Sequence, residues 1–345
     1  MLRTMARRRA EVPHHHPEFA LTHEGRIARE LRAAGCEVHL LGAVRGRHAL
    51  SILRARHKLA SLCRSQTFDA CIVHSAWSLQ LLGPACTRPL VLFQHDLHRH
   101  DRDIRIGARP DLVIANSEFT AAGIAGLYRN TPVQTIYPCV DIAEDARASK
   151  TQGSRIVILQ AARFEPWKGH TLLLDALATL RPNPDRVLWI AGSAQRPQEV
   201  QLQQRLEAQA LRLGIADRVS FLGHVEDLPA FTRSSMRPGD IYCQPNTAPE
   251  PFGLTFVEAL AAQMAVVGTA LGGAREILHP DWGLLPSPDV ESVAAALRRV
   301  LDDSALRLSL AAEGPSRARM LCTPRTQIRK LEFAIASLAT RQDAA

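Results

Sequence analysis

Glu250-Pro251-Phe252-Gly253-Leu254-Thr255-Phe256-Val257-Glu258 decides how this chain reads. Two carboxylates stand eight positions apart around Phe252-Gly253-Leu254. Upstream, Asp240-Ile241-Tyr242-Cys243-Gln244 has the character of a buried strand, and downstream the apolar run from Ala259 to Met264 predicts helix. A strand, a turn and a helix start with a carboxylate on each side suit a polyhydroxylated phosphate ester. The free N–H groups and positive end of a new helix attract phosphate. Gly253 lets backbone approach closely, and each carboxylate accepts hydrogen bonds from neighbouring hydroxyls. Two glutamates at this spacing also fit a plain strand-to-helix corner with solvated side chains, and their surroundings decide between the two.

Those surroundings repeat a strand–helix rhythm twice, which predicts parallel α/β architecture. In the first half, Arg26 to Ala34 predicts a helix ended by Gly35. Strands follow at Glu37–Leu41, Ala70–His74, Leu90–Gln94 and Leu112–Ala115, and Asn116-Ser117 is suited to cap a helix from Glu118. The polar segment from Val140 to Gly153 reads as a linker. In the second half, strands are expected at Arg155–Gln160, Val187–Ala191, Val219–Leu222, Asp240–Gln244 and Ala265–Thr269. Helices are expected from Thr171, over Glu199–Leu213 and Leu228–Arg233, and near Val290–Leu301 and Gln327–Thr340.

Length and composition agree with two soluble globular domains: 345 residues, 46% hydrophobic and 22% charged. No apolar run approaches the roughly 18 residues of a spanning helix. The basic N-terminus, Met1 to Arg9, has no apolar core behind it and makes a poor secretory signal. Seven cysteines scattered singly, with no C-x-x-C pair, argue for reduced thiols in the cytosol. Net charge is +8, and between Val38 and Phe68 six Lys/Arg (45, 47, 54, 56, 58, 64) meet no acidic residue. With Leu50, Ile52, Leu53, Leu59 and Leu62 interleaved, the stretch Arg45–Arg64 suits peripheral contact with the anionic inner face of a membrane, and equally an ordinary solvated basic face. Aromatics at 5% and the lack of a binding motif argue against nucleic acid. His14-His15-His16 and the group His98, His100, Asp101, Asp103 have metal-capable side chains without structural-zinc spacing, so no metal is expected.

Ligands of open α/β sheets gather at the carboxyl ends of strands. After the strand ending at Gln160 comes Arg163-Phe164-Glu165-Pro166-Trp167-Lys168-Gly169-His170. Two cations five apart in a Gly-containing loop before a helix can straddle a diphosphate.

Taken together, Arg163…Lys168-Gly169, Glu250-Pro-Phe-Gly-Leu254…Glu258 and Gly272-Gly273-Ala274-Arg275-Glu276 resemble the retaining nucleotide-sugar glycosyltransferases of family 4. The resemblance implies an α/β GT-B fold: two facing Rossmann-like domains with parallel sheets and a cleft between them. It divides the chain into an acceptor-side domain (1–145) and a nucleotide-sugar-binding domain (152–320), with a C-terminal helix (321–345) expected to cross back to the first. It implies transfer of a sugar from a UDP- or GDP-sugar to a hydroxyl of a glycan or lipid-linked acceptor, with no metal and no other cofactor. By the same resemblance Glu250 contacts the transferred sugar, Glu258 the ribose, and Phe252, Gly253 and Leu254 the sugar and phosphates. Arg163 and Lys168 neutralise the diphosphate, Gly192-Ser193 and His224-Val225 approach the nucleotide, and His95 faces the transferred sugar. Ala115 to Thr120 and Tyr137 to Asp141 fit the family as well. A nucleotide-sugar epimerase of the same fold and a catalytically silent nucleotide-binding or scaffold protein are the alternatives. One departure stands out. The family opens with a buried strand and a Gly-Gly loop, whereas Met1 to His23 carries Pro13, three His and Pro17, and Glu18-Phe19 stand at the Gly-Gly place. The first strand is therefore expected to be absent, through a late start or a truncated gene, or that edge to be built differently.

Overall fold

The computed structural model describes residues 1–44, 48–75, 77–79, 86, 88–97, 109–142 and 155–342. The chain forms two compact units: Met1–Val140 with Cys322–Ala345, and Asp141–Leu321. The expected linker lies largely outside the described residues, as do Arg45 and Arg47 of the basic stretch and the group His98, His100, Asp101, Asp103.

The second unit carries a six-stranded, wholly parallel sheet. Its strands are β7 (Ile156–Ala161), β8 (Arg186–Ala191), β9 (Val219–Gly223), β10 (Ile241–Gln244), β11 (Ala265–Gly268) and β12 (Gly283–Leu284). In space they run β12-β11-β10-β7-β8-β9. Counted from β7, that is the 3-2-1-4-5-6 order of a dinucleotide-binding sheet, whose direction of winding reverses between β7 and β10. The central strands are buried on both faces, so they read as unbroken apolar runs. Helices α5 (His170–Ala178), α6 (Pro197–Arg212), α7 (Leu228–Ser235), α8 (Leu254–Ala261), α9 (Ala274–Ile277), α10 (Val290–Asp302) and α11 (Ser304–Cys322) complete the unit. Leu172, Leu173 and Leu177 of α5 and Val293, Leu297 and Val300 of α10 pack on Ile158, Leu188 and Ile241.

In the first unit, β3 (Cys71–Val73), β4 (Leu90–Gln94), β5 (Leu112–Ala115) and β6 (Val133–Thr135) form a parallel sheet in sequence order. Alternate residues serve its two faces. Leu90, Leu92, Val113 and Ala115 meet Ala55 and Leu59 of α3 (Ala49–Ser65) and Ile124 of α4 (Glu118–Ile124). On the other face, Val91, Phe93, Leu112 and Ile114 meet Ile328, Leu331, Ala334 and Leu338 of α12 (Pro324–Gln342). The C-terminal helix thus supplies core to the N-terminal unit, and Val140 N donates to the Cys322 carbonyl 3.0 Å away where the chain returns. Ser117 caps α4 by accepting from Thr120 N.

Four elements differ from the sequence expectation. A strand does precede the Arg26 helix: β1 (Phe19–Leu21) pairs in parallel with β2 (Val38–Leu40), and the two form a separate small sheet. Phe19, Leu21 and Val38 cover Leu31 of α2 (Arg26–Ala33), which is why three residues suffice. Ahead of β1, α1 (Leu2–Arg7) buries Met5 and Ala6. Helix α11 was not expected, because Gly314-Pro315 interrupts its sequence and its apolar residues favour no face; Pro315 nevertheless lies inside it. Finally, α8 begins at Leu254 and ends at Ala261, so Glu258 lies within the helix and Met264 beyond it.

Candidate functional site

The reversal point between β7 and β10 places two loops side by side. Gly169, at φ 73°, starts α5 in the left-handed region, and a Cβ there would run into the Pro245 carbonyl. Thr247 N donates to the Trp167 carbonyl (2.8 Å), and the buried Gln160 donates from Nε2 to the Lys168 carbonyl (2.8 Å). The loop after β7 is thereby held against the loop after β10.

Across this seam Lys168 Nζ stands 2.6 Å from Glu250 Oε2, both side chains being largely buried. Lys168 also lies 3.9 Å above the Trp167 ring, whose Nε1 donates to Glu165. Two more donors reach the same carboxylate oxygen: Asn246 Nδ2 at 3.0 Å and Gln244 Nε2 at 3.2 Å. Gln244 is oriented in turn by Tyr242, whose hydroxyl donates to its Oε1 (2.7 Å), while Thr269 holds the Asn246 carbonyl. Three donors thus converge on one oxygen, Oε2, and hold the carboxylate in a single orientation. The Glu250 backbone is fixed as well, since Gly273 N donates to its carbonyl at 2.7 Å.

Eight residues of helix follow Gly253, which sits at φ 103° and is capped by no side chain. Its N-terminal amides supply the partial positive charge that suits a phosphate. Phe252 contributes backbone alone, its ring being in the core at 2% exposure. Glu258 is half-buried on the same helix, beside a recess lined by Asp141, Pro229, Thr232 and Arg233.

The other expected residues of the second unit follow the carboxyl ends of β7, β8 and β9. Arg163 is exposed and paired with Glu165 at 2.7 Å. Gly192, after β8, donates to the Gly223 carbonyl, and a Cβ there would collide with the Ala162 carbonyl; Ser193 is half-buried. His224 is exposed and Val225 half-buried after β9. His95 belongs to the first unit, at the carboxyl end of β4, where its Nε2 lies 3.0 Å from Nδ1 of His74 and its ring stacks on Phe93. Burial lowers the pKa of both imidazoles, that of His74 to about 3. Sequence reasoning missed His74, Gln244, Asn246 and Tyr242. A glutamine and a tyrosine in an otherwise apolar buried strand were the available signal.

Among the described residues, two groups bring three metal-capable side chains together, Cys63–Cys71–Cys86 and Glu18–Glu37–His39, and neither includes His14, His15 or His16.

Two Rossmann-like units with parallel sheets, one of them carrying a carboxylate–lysine seam at its reversal point, define the chain as a GT-B type α/β protein. Residues 141–317 match the family described as Glycosyl transferases group 1, and residues 15–144 match Glycosyltransferase Family 4. The chain belongs to the glycosyl transferases group 1. It is 37% identical over 191 residues to the phosphatidyl-myo-inositol mannosyltransferase of Mycobacterium tuberculosis, covering 52% of this chain and 48% of that protein. It is 32% identical over 221 residues to the D-inositol 3-phosphate glycosyltransferase of Jonesia denitrificans, covering 58% and 51%. The matched part is about half the length of each relative. Among solved structures, Anabaena Alr3699/HepE in complex with UDP and glucose is similar with a TM-score of 0.80 at 23% identity, over 97% of this chain and 95% of that one. A glycosyltransferase from Rickettsia africae gives 0.81 at 17%, over 98% and 94%. At these identities the structures speak for the fold.

Proposed function

We propose that this chain is a retaining glycosyltransferase that moves a sugar from a UDP- or GDP-sugar to a hydroxyl of a glycan or lipid-linked acceptor, in glycan, polysaccharide or glycolipid synthesis. The single observation that carries the reading is Glu250, whose Oε2 is held by Lys168, Gln244 and Asn246 just ahead of Gly253, a helix start that no side chain caps. A carboxylate fixed in this way can accept from sugar hydroxyls without first reorganising. Lys168 has three donors, so it can keep Glu250 and also meet a diphosphate oxygen, with Arg163 and the amides after Gly253 sharing the charge. Glu258 would take the ribose hydroxyls, and Gly192-Ser193 and His224-Val225 would border the nucleotide. No metal is required in this scheme, because cations and a helix terminus already oppose the diphosphate.

No carboxylate is assigned as nucleophile. The bond from the anomeric carbon to the phosphate oxygen breaks as the acceptor oxygen bonds to that carbon on the same face. The acceptor proton passes to the leaving phosphate, and the nucleoside diphosphate departs. His95, kept neutral by burial, would hydrogen-bond a hydroxyl of the transferred sugar. The family membership favours transfer over epimerisation or silent binding. For the membrane, helix α3 is the candidate surface: Leu50 and Leu53 are exposed, as are Arg54 and, about three turns on, Arg64. No helix among the described residues is long and apolar enough to cross a bilayer.

The test is a screen of nucleotide sugars by thermal shift, then transfer assays with the stabilising donor. Glu250→Ala should lower turnover by about two orders of magnitude or more, with circular dichroism unchanged and nucleoside diphosphate still bound. Wild-type turnover in that variant would sink the assignment, and an inverted anomeric product would sink the retaining course.

A further inference from the structure

The first unit holds a group of side chains that the transfer reaction does not use. Cys63 in the last turn of α3, Cys71 at the first residue of β3 and Cys86 ahead of β4 bring their sulfurs together. The Sγ atoms of Cys63 and Cys71 are 3.8 Å apart, those of Cys63 and Cys86 3.7 Å, and those of Cys71 and Cys86 3.0 Å. Sulfurs bound to one tetrahedral zinc at about 2.3 Å stand about 3.8 Å from each other. Two edges of the triangle already have that length, and the third opens by less than an ångström to reach it. Cys63 is buried, while Cys71 and Cys86 are half-buried, so an ion can enter from one side and keep a water in its fourth position. The Arg88 cation acts electrostatically on Cys63 and Cys86. It would oppose the net negative charge of three thiolates around a divalent ion.

We propose that Cys63, Cys71 and Cys86 form a site for a thiophilic, closed-shell metal ion of the zinc class. On binding, three metal–sulfur bonds form, the three thiol protons pass to solvent, and the hydrated ion gives up waters. The site lies away from the imidazole pair. Cys71 opens β3, whereas His74 follows its carboxyl end, so the ion stands at the amino edge of the parallel sheet. Its role is to tie α3 to β3 and to the approach to β4. Cys71 N donates to the Pro89 carbonyl on that approach (2.8 Å), so the backbone is already gathered around the sulfurs. A disulfide between Cys71 and Cys86 would use two of the three thiols and leave the placement of Cys63 without a purpose.

The experiment uses the full chain, reduced and stripped with a chelator, then titrated with Co²⁺ and Zn²⁺. The expected result is one ion per chain, a thiolate-to-cobalt charge-transfer absorption that Zn²⁺ displaces, and loss of both in Cys63→Ser and Cys86→Ser but not in Cys36→Ser. Peptide mass spectrometry of the unmodified sequence provides a readout free of folding defects. Zn²⁺ should slow iodoacetamide labelling of Cys71 and Cys86 at least tenfold and leave Cys36 unchanged. Equal labelling with and without Zn²⁺ would overturn the proposal. So would a chain two hydrogens lighter, with Cys71 joined to Cys86, that takes up no metal after reduction.

Discussion

Glu250 and His170 show what burial does to single ionisable residues here. Glu250 gathers Lys168, Gln244 and Asn246 on one oxygen, so truncating it strips three donors of their acceptor. Glu250→Gln keeps the shape and should isolate the chemical role from that structural cost. His170 begins α5 beside this pair, 1% exposed and 5.2 Å from the Phe164 ring. Burial, and secondarily the Lys168 charge, push its pKa down to about 4. An unfolded chain protonates the same ring near pH 6.5, so between those values the unfolded state binds more protons. The neutral ring's contribution is complete above about pH 6.5 and is lost as pH falls towards 4. We expect His170→Gln to flatten the fall in the second unit's urea midpoint between pH 7 and 5, by the equivalent of about 1–3 kcal/mol. Parallel curves for variant and wild type would show that the ring does not carry this dependence.

At the scale of elements, α3 divides its faces cleanly. Ala55, Leu59, Ala60 and Cys63 are buried against the sheet, while Leu50 (72% exposed) and Leu53 (57%) project with Arg54 and Arg64. A surface with apolar residues between cations gains from inserting the former into a bilayer and setting the latter among anionic headgroups. Leu50→Ser with Leu53→Ser should reduce co-sedimentation with anionic vesicles several-fold, and added salt should weaken what remains. Unchanged partition in both conditions would count against membrane contact. Helix α8 makes a different point about legibility. Its position after β10 was readable from Glu250 to Leu254, yet its end was not. Met264 continues the apolar run in sequence, but the backbone turns at Gln263 (φ 55°) so that Ala265 can enter β11.

For the whole molecule, the first unit is built from two distant segments. Residues up to Val140 supply the sheet, and α12 supplies much of one face of its core. Leu331, 2% exposed on that face, should cost about 2–5 kcal/mol when changed to Ala. Removing residues 324–345 should be more severe. It uncovers Val91, Phe93, Leu112 and Ile114, and we expect rapid proteolysis confined to the first unit, with 141–321 surviving as a resistant fragment. Uniform digestion of both units, or none, would contradict this division.

The Glu250–Glu258 stretch, the Arg163–Lys168 loop and the doubly buried strands were determined by sequence alone, since each is local: a few consecutive residues declare strand, turn or helix start. Tertiary structure decided the rest. Three residues of β1 become a strand only when β2 and α2 cover them, and α11 runs through Gly314-Pro315 with Gly314 packed so tightly on the Leu260 backbone that a Cβ would not fit. Gln244 and Asn246 acquire a purpose when the loop after β7 brings Lys168 to the same carboxylate. Cys63, Cys71 and Cys86 have no spacing that announces a site, because a helix end, a strand start and a loop deliver them. Local chain preferences are written in neighbouring residues, whereas the convergence of separate segments is settled by packing, which no short stretch contains.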